Sequence, residues 1–214
     1  MPDAGVTNPL FARLYARMTE NETEEVASHR RELVAGLSGR VIEVGAGNGR
    51  NFGLYPPTVT KVVAVEPEPY MRRKAKLAAS SARVPIEVVP GLADELPAEA
   101  ASFDAAVVSL VLCSVPDQAT ALAEIRRVLV PNGELRFYEH VVSRRAGMSR
   151  AQATVDRLFW PRMAGGCHTA RDTEAAIRHA GFDIEQCRRL SVKPCFAAIV
   201  VAPHILGAAR PTRD

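Results

Sequence analysis

The stretch Val41-Ile42-Glu43-Val44-Gly45-Ala46-Gly47-Asn48-Gly49 runs a short β-branched segment into three glycines at alternate positions. Bounded by Gly39 and Gly45, Arg40–Val44 reads as a buried strand. Glycines directly after a strand permit positive φ and let a ligand approach the backbone closely. In a doubly wound sheet this is where the ligand crevice opens. A dinucleotide loop of the form GxGxxG would need its third glycine at position 50, which is Arg50. That side chain crowds a pyrophosphate, whereas an adenosyl ligand without phosphates has no such need.

Working outward from the loop, strands are expected at Lys61–Val65, Pro85–Val89, Phe103–Leu110 and Glu134–His140, with helices at Pro69–Ser81 and Pro116–Leu129. In the second helix Ala119, Leu122, Ile125 and Leu129 fall on one stripe. Strands alternating with helices of this length imply right-handed crossovers and a mostly parallel sheet covered on both faces. The fold class is α/β, doubly wound. Ahead of it, Leu10, Leu14, Met18, Val26, Leu33 and Leu37 keep a mostly helical spacing, so residues 1–38 are expected as a helical segment capping the site. Behind it come helices at Met148–Trp160 and Arg171–Ala180, then strands at Phe182–Leu190 and Ala197–Val201, read as an antiparallel addition at one edge. Residues 39–206 form the main domain in this reading, and 207–214 a short, frayed polar tail.

The second strand ends in Val65-Glu66-Pro67, and Glu66 lies 21 residues beyond Gly45, the separation at which an acid accepts hydrogen bonds from ribose hydroxyls. Composition is that of an ordinary globular protein, 47% hydrophobic and 24% charged, which excludes disordered and collagen-like classes. The apolar runs Ala105–Val108 and Phe196–Ala202 are far shorter than the roughly 20 residues of a membrane span. The first residues show neither the cationic nor the apolar region of a secretory signal, so the cytoplasm is the expected location. Net charge is +3 with the arginine pairs scattered, which argues against nucleic acid as a partner. Cys113, Cys167, Cys187 and Cys195 make no CxxC pair and no metal-ligand spacing with histidine, so they read as buried free thiols and no metal is expected.

At these residues the sequence resembles the class I S-adenosylmethionine-dependent methyltransferases, whose first motif is an acid followed by x-G-x-G-x-G and whose second strand ends in an acid. Glu43, the three glycines and Glu66 match it. Gly91-Leu92-Ala93-Asp94-Glu95-Leu96-Pro97 resembles the family's loop beside the adenine, although Leu92 stands where an aspartate is common, and Leu129-Val130-Pro131-Asn132-Gly133 resembles the segment before its fifth strand. The resemblance implies a Rossmann-like fold and S-adenosylmethionine as cofactor, leaving S-adenosylhomocysteine as product. It implies cofactor contacts from Glu43, Gly45, Ala46, Gly47, Gly49, Glu66, Pro67, Met71, Leu92, Ala93 and Leu110. Within the class, the chain is similar to the methyltransferase-like protein seven group, which methylates small thiols. Asn51-Phe52, Leu110-Val111-Leu112-Cys113-Ser114-Val115, Glu139-His140-Val141, Gly166-Cys167 with Thr169, and Pro203-His204-Ile205 carry that similarity. The apolar anchor of the group's eukaryotic members has no counterpart in this sequence, so a membrane location is not carried over.

A sulfonium methyl is already electrophilic, so methyl transfer mainly requires an acceptor held in line with water excluded. A base that takes the acceptor proton would contribute about 10²–10⁴-fold. His140, at the end of the fifth strand, is the first candidate. His168, in a Gly-Gly-Cys-His segment that could move as a lid, is the second. Tyr15, Cys113 and Trp160, with Phe11 and Phe159, are expected to wall a pocket for a small-molecule acceptor. A thiol acceptor could react as thiolate without a strong base. Methylation of nitrogen, oxygen or carbon, and a non-catalytic adenosyl-ligand sensor, remain compatible with the same residues; a nicotinamide oxidoreductase is disfavoured by Arg50.

Overall fold

The computed structural model describes residues 9–20, 22–192 and 199–212. Strand β1 (Gly39–Val44) pairs in parallel with β2 (Val59–Val65) on one side and with β4 (Phe103–Ser109) on the other. β3 (Ile86–Val89) continues the sheet beyond β2, and β5 (Leu129–His140) beyond β4. β6 (Phe182–Ser191) and β7 (Pro203–Pro211) complete the order β3-β2-β1-β4-β5-β7-β6, with β7 antiparallel to both of its neighbours. Strand order reverses between β1 and β4, so their C-terminal ends diverge into a crevice.

Alternation along the strands sends neighbouring residues to opposite faces. Ile42 and Val44, with Ala106 and Val108, pack under Leu122 and Ile125 of helix α4 (Gln118–Val128). Val41, Ala105 and Val107 pack on the other face with Leu33 and Val34 of α2 (Glu24–Val34) and Ala75 of α3 (Pro69–Ala79). Helix starts carry their caps: Thr23 for α2, Glu68 for α3 and Asp117 for α4 each accept backbone N–H groups of the first turn.

Several expectations are corrected. In α1 (Pro9–Glu20) Leu14 and Met18 face solvent, and Ala12 and Ala16 form the buried stripe against Met71. The small residues allow α1 to approach α3 closely, which the apolar periodicity did not register. In α4 the stripe is Ala121, Leu122, Ile125 and Val128, while Ala119 is exposed. Helix α5 (Ala146–Leu158) stops before Trp160, and a short turn of helix α6 (Trp160–Met163) follows with Pro161 in its first turn. Helix α7 (Thr173–His179) is capped by Asp172. The strand expected at Ala197–Val201 lies partly outside the described residues, and its remainder, Ile199–Val201, is a 3-10 turn.

Nor is Gly207 the start of a frayed tail, since it sits in the middle of β7 between β5 and β6. A Cβ there would lie 2.1 Å from the Gln186 carbonyl and 2.6 Å from the Phe137 ring. The Gly-Ala-Ala composition that read as a tail is what lets an interior strand pass so close to its neighbours.

Candidate active site

The loop leaving β1 is shaped by its contacts with β2 and β4. Gly45 and Ala46 donate their N–H groups to the Val65 carbonyl at 2.8 and 3.0 Å. Gly45 has φ +67°, and a Cβ on it would lie 2.5 Å from the Val111 side chain. Gly47, at φ +57°, has nothing within 4 Å of where its Cβ would stand, so the loop presents bare backbone to open space. Glu66 flanks that space, with Oε2 accepting from Gly47 N at 2.7 Å and Oε1 from Glu68 N at 2.9 Å. Burial raises the Glu66 pKa, against the lowering effect of those two N–H groups.

Glu43 lies beneath the loop, where its carboxylate accepts Tyr55 Oη at 2.6 Å and Asn51 Nδ2 at 2.9 Å. It is 2% exposed, and burial lifts its pKa to about 7. Asn51 passes the connection on through Arg30, which donates to Asn51 Oδ1 at 3.1 Å and Ser109 Oγ at 3.0 Å and pairs with Glu22 at 2.9 Å. Arg50 is exposed and pairs with Glu22 at 3.6 Å. Met71 is covered by α1, its side chain packed with Ala12 and Ala16. Pro67, Leu92 and Ala93 are half-buried, Leu92 bridging to Glu95 in a tight turn.

At the end of β4 the chain turns through Leu110, whose φ of +61° is left-handed, a conformation that costs a non-glycine residue about 1–2 kcal/mol. The next three residues are gathered by one side chain. Glu139, fully buried on β5, accepts the N–H groups of Val111, Leu112 and Cys113 at 2.8, 3.1 and 3.1 Å. Burial moves its pKa up to about 7 even against those three donors. From the other side Arg171 donates to the Leu112 and Val115 carbonyls at 2.8 and 2.6 Å.

This clamp brings Cys113 to His140, whose ring lies at the C-terminal end of β5, Nδ1 3.7 Å from the Cys113 Sγ. Cys167, from the segment between α6 and α7, approaches both, its Sγ 3.4 Å from His140 Nδ1 and 3.8 Å from Cys113 Sγ. The hydrogen-bonded contact with Cys113 and then the His140 ring draw the Cys167 thiol pKa down, while the Cys167 sulfur and burial push that of Cys113 up. Trp160 is half-buried beside Cys167, and its side chain helps to draw the Cys167 thiol pKa down. Tyr15 is within electrostatic reach of both cysteines and stacks on Phe11. His204, opposite His140 in the β5–β7 pairing, sits 4.4 Å from it ring to ring, and burial keeps it neutral with a pKa pulled down to about 3.

His168 does not join this cluster. Its Nδ1 faces Asp156 at 3.9 Å, and its N–H donates to the Cys113 carbonyl at 2.7 Å. Thr169 and Ala170 donate to the same Asp156, so the lid expected here is instead a pinned segment. Cys187 is exposed, contrary to its reading as a buried thiol, and Cys195 lies outside the described residues. The sequence reading placed none of Cys167, Glu139, Asn51 or Arg171 among its candidate site residues. The first three fall within stretches that carried the family resemblance, and nothing local to Arg171 marks it.

Residues 42–137 match the family described as Methyltransferase domain. Human thiol S-methyltransferase TMT1B is 33% identical over 216 residues, spanning 93% of this chain and 85% of that protein. Among solved structures, the YcgJ protein of Bacillus subtilis superposes with a TM-score of 0.71 at 16% identity, over 90% of this chain and all of that one. An S-adenosylmethionine-dependent methyltransferase from Mesorhizobium loti gives 0.63 at 21% identity, over 86% and 96%. The strand order, the glycine loop and the near full-length relationship agree: this chain belongs to the class I S-adenosylmethionine-dependent methyltransferases, in the family that includes the thiol S-methyltransferases.

Proposed function

We propose that this methyltransferase methylates the sulfur of a small thiol. The observation that carries the proposal is the extent of the similarity to a thiol S-methyltransferase. It covers 93% of the chain, whereas the shared methyltransferase domain ends at residue 137, so it takes in most of the segment that supplies His140, Trp160 and Cys167.

The crevice fits the cofactor on two observations: open space where a Gly47 side chain would stand, and a buried carboxylate beside it with lone pairs still free. Glu66 is assigned to the ribose hydroxyls and the backbone of Gly45–Gly49 to the close approach. Pro67, Leu92, Ala93 and Leu110 are assigned to the flanks. Glu43 holds the loop from below. When bound, S-adenosylmethionine supplies a methyl group on a positively charged sulfur. The chain's own task is to place the acceptor against Cys113, His140 and Cys167, with Tyr15 and Trp160 excluding water. The acceptor S–H must lose its proton, and the His140 imidazole, beside Cys113 and Cys167, is the neighbouring group placed to take it.

The small net charge supports a small-molecule acceptor over nucleic acid. Among the described residues no helix is long and apolar enough to cross a membrane. Free thiols suit a reducing compartment, which supports the cytoplasm. The test is turnover with S-adenosylmethionine and a panel of thiols, phenols and amines. Methylated thiol and S-adenosylhomocysteine are expected; methylation of phenols or amines with thiols untouched overturns the proposal.

A further inference from the structure

Cys113, His140 and Cys167 come from three separate segments, and their ligand atoms form a nearly equilateral triangle with sides of 3.8, 3.7 and 3.4 Å. Hydrogen bonding accounts poorly for this arrangement, because sulfur is a weak acceptor and the thiol a weak donor. A tetrahedral zinc ion, with bonds of about 2.3 Å to sulfur and about 2.0–2.1 Å to nitrogen, has edges of about 3.8 Å between two sulfurs and about 3.5 Å between sulfur and nitrogen. The triangle matches those edges to within about 0.2 Å, the tolerance expected of a metal site.

The backbones that carry the sulfurs are also fixed. Cys113 N donates to Glu139 and its carbonyl accepts from His168 N, while Cys167 N donates to the Ala164 carbonyl. No fourth histidine, cysteine or carboxylate joins the group among the described residues. Three protein ligands with one open position is the composition of catalytic rather than structural zinc sites.

We propose that Cys113, His140 and Cys167 bind one zinc-class divalent cation through two thiolates and an imidazole, and that the acceptor thiol takes the fourth position. The second clause rests on the thiol reading above; the first does not. A thiol bound to the ion gives up its S–H proton to water at neutral pH, so His140 then serves as a ligand and the ion does the work of a base. Two cysteine thiolates balance the dication, and a bound acceptor thiolate would leave the site with one net negative charge.

The test uses the full chain, stripped of metal and kept reduced, titrated with Zn²⁺ against a chromophoric chelator. One equivalent is expected to bind with submicromolar affinity. Cys113→Ser and Cys167→Ser should each weaken binding by about 100-fold or more, with S-adenosylmethionine binding checked to show that the variants fold. Cys187→Ser should change nothing. Co²⁺ in the site should show tetrahedral visible bands that shift with 2-mercaptoethanol and not with ethylene glycol. Absence of stoichiometric binding, binding that survives both serine variants, or a Cys113–Cys167 disulfide formed under reducing conditions in place of ion uptake overturns the site. If zinc binds as described but no thiol is methylated, the acceptor reading fails and the ion site stands. Equal thiol turnover by metal-free and zinc-loaded protein overturns the ion's part in activating the acceptor while leaving thiol methylation intact.

Discussion

The Glu66 carboxylate accepts the backbone N–H of Gly47 at 2.7 Å, so the end of β2 steadies the loop after β1 at the point where that loop faces open space. A residue that fixes the loop and is assigned to the ribose should be costly to lose. Glu66→Ala is expected to weaken S-adenosylmethionine binding by about 1.5–3 kcal/mol, or roughly 10–150-fold in Kd. Calorimetric titration of a variant shown to be folded measures this, and an unchanged Kd overturns the ribose assignment.

Two glycines should separate binding from folding. Gly47→Val places its side chain in open space, so the fold bears only the left-handed backbone cost of about 1–2 kcal/mol. It should remain folded and lose S-adenosylmethionine binding. Gly207→Ala drives a Cβ into the Gln186 carbonyl and the Phe137 ring, and should cost about 3 kcal/mol or more of stability. Urea unfolding alongside calorimetry tests the contrast; a Gly47→Val variant that binds normally would show the crevice to be misplaced.

Glu43 predicts a pH dependence. Burial raises its pKa to about 7, against 4.5 for the exposed side chain. Between these values the folded state holds the proton and the unfolded chain releases it. The favourable contribution is therefore fully present below about pH 4.5 and is lost as pH rises through about 7, an effect on the order of 3 kcal/mol. Glu43→Gln should lose less stability than wild type between pH 5 and pH 8 in urea melts, and parallel losses in the two proteins would contradict the assignment.

The two candidate histidines should behave differently. His140→Ala is expected to lower kcat by about 10²-fold or more at pH 7 with little change in S-adenosylmethionine affinity. His168 is 38% exposed at the side chain and faces Asp156, so His168→Ala should cost less than about 1 kcal/mol of stability. Its kcat should stay close to wild type. Comparable losses of kcat in both variants would place His168 in the chemistry after all.

The parallel half of the fold was legible because Ala105–Val108 is a continuous apolar run and Val41–Val44 is apolar but for Glu43, and the loop was legible because glycine is the residue its left-handed turns require. The antiparallel end was harder to read. Gly207-Ala208-Ala209 has no β-branched residue, and only the closeness of Phe137 and Gln186 explains why an interior strand needs such small side chains. The Rossmann-type half of the site follows local spacing, Gly45 to Glu66. The half proposed for the acceptor does not, since Cys113, His140 and Cys167 meet only through the Glu139 clamp and the pinned turn at Thr169. Motif spacing detects ligands carried on one element or hairpin, and these three come from separate segments.

The register that sets His140 opposite His204 also bears on how the protein is made. While the ribosome is still adding the residues between them, β5 has its β4 partner but presents its other edge bare, and the imidazole at its end lacks the strand that packs beside it. Such an edge invites pairing with other nascent chains. The cluster at His140 therefore lacks its His204 neighbour until Pro203–Pro211 has joined the sheet beside β5.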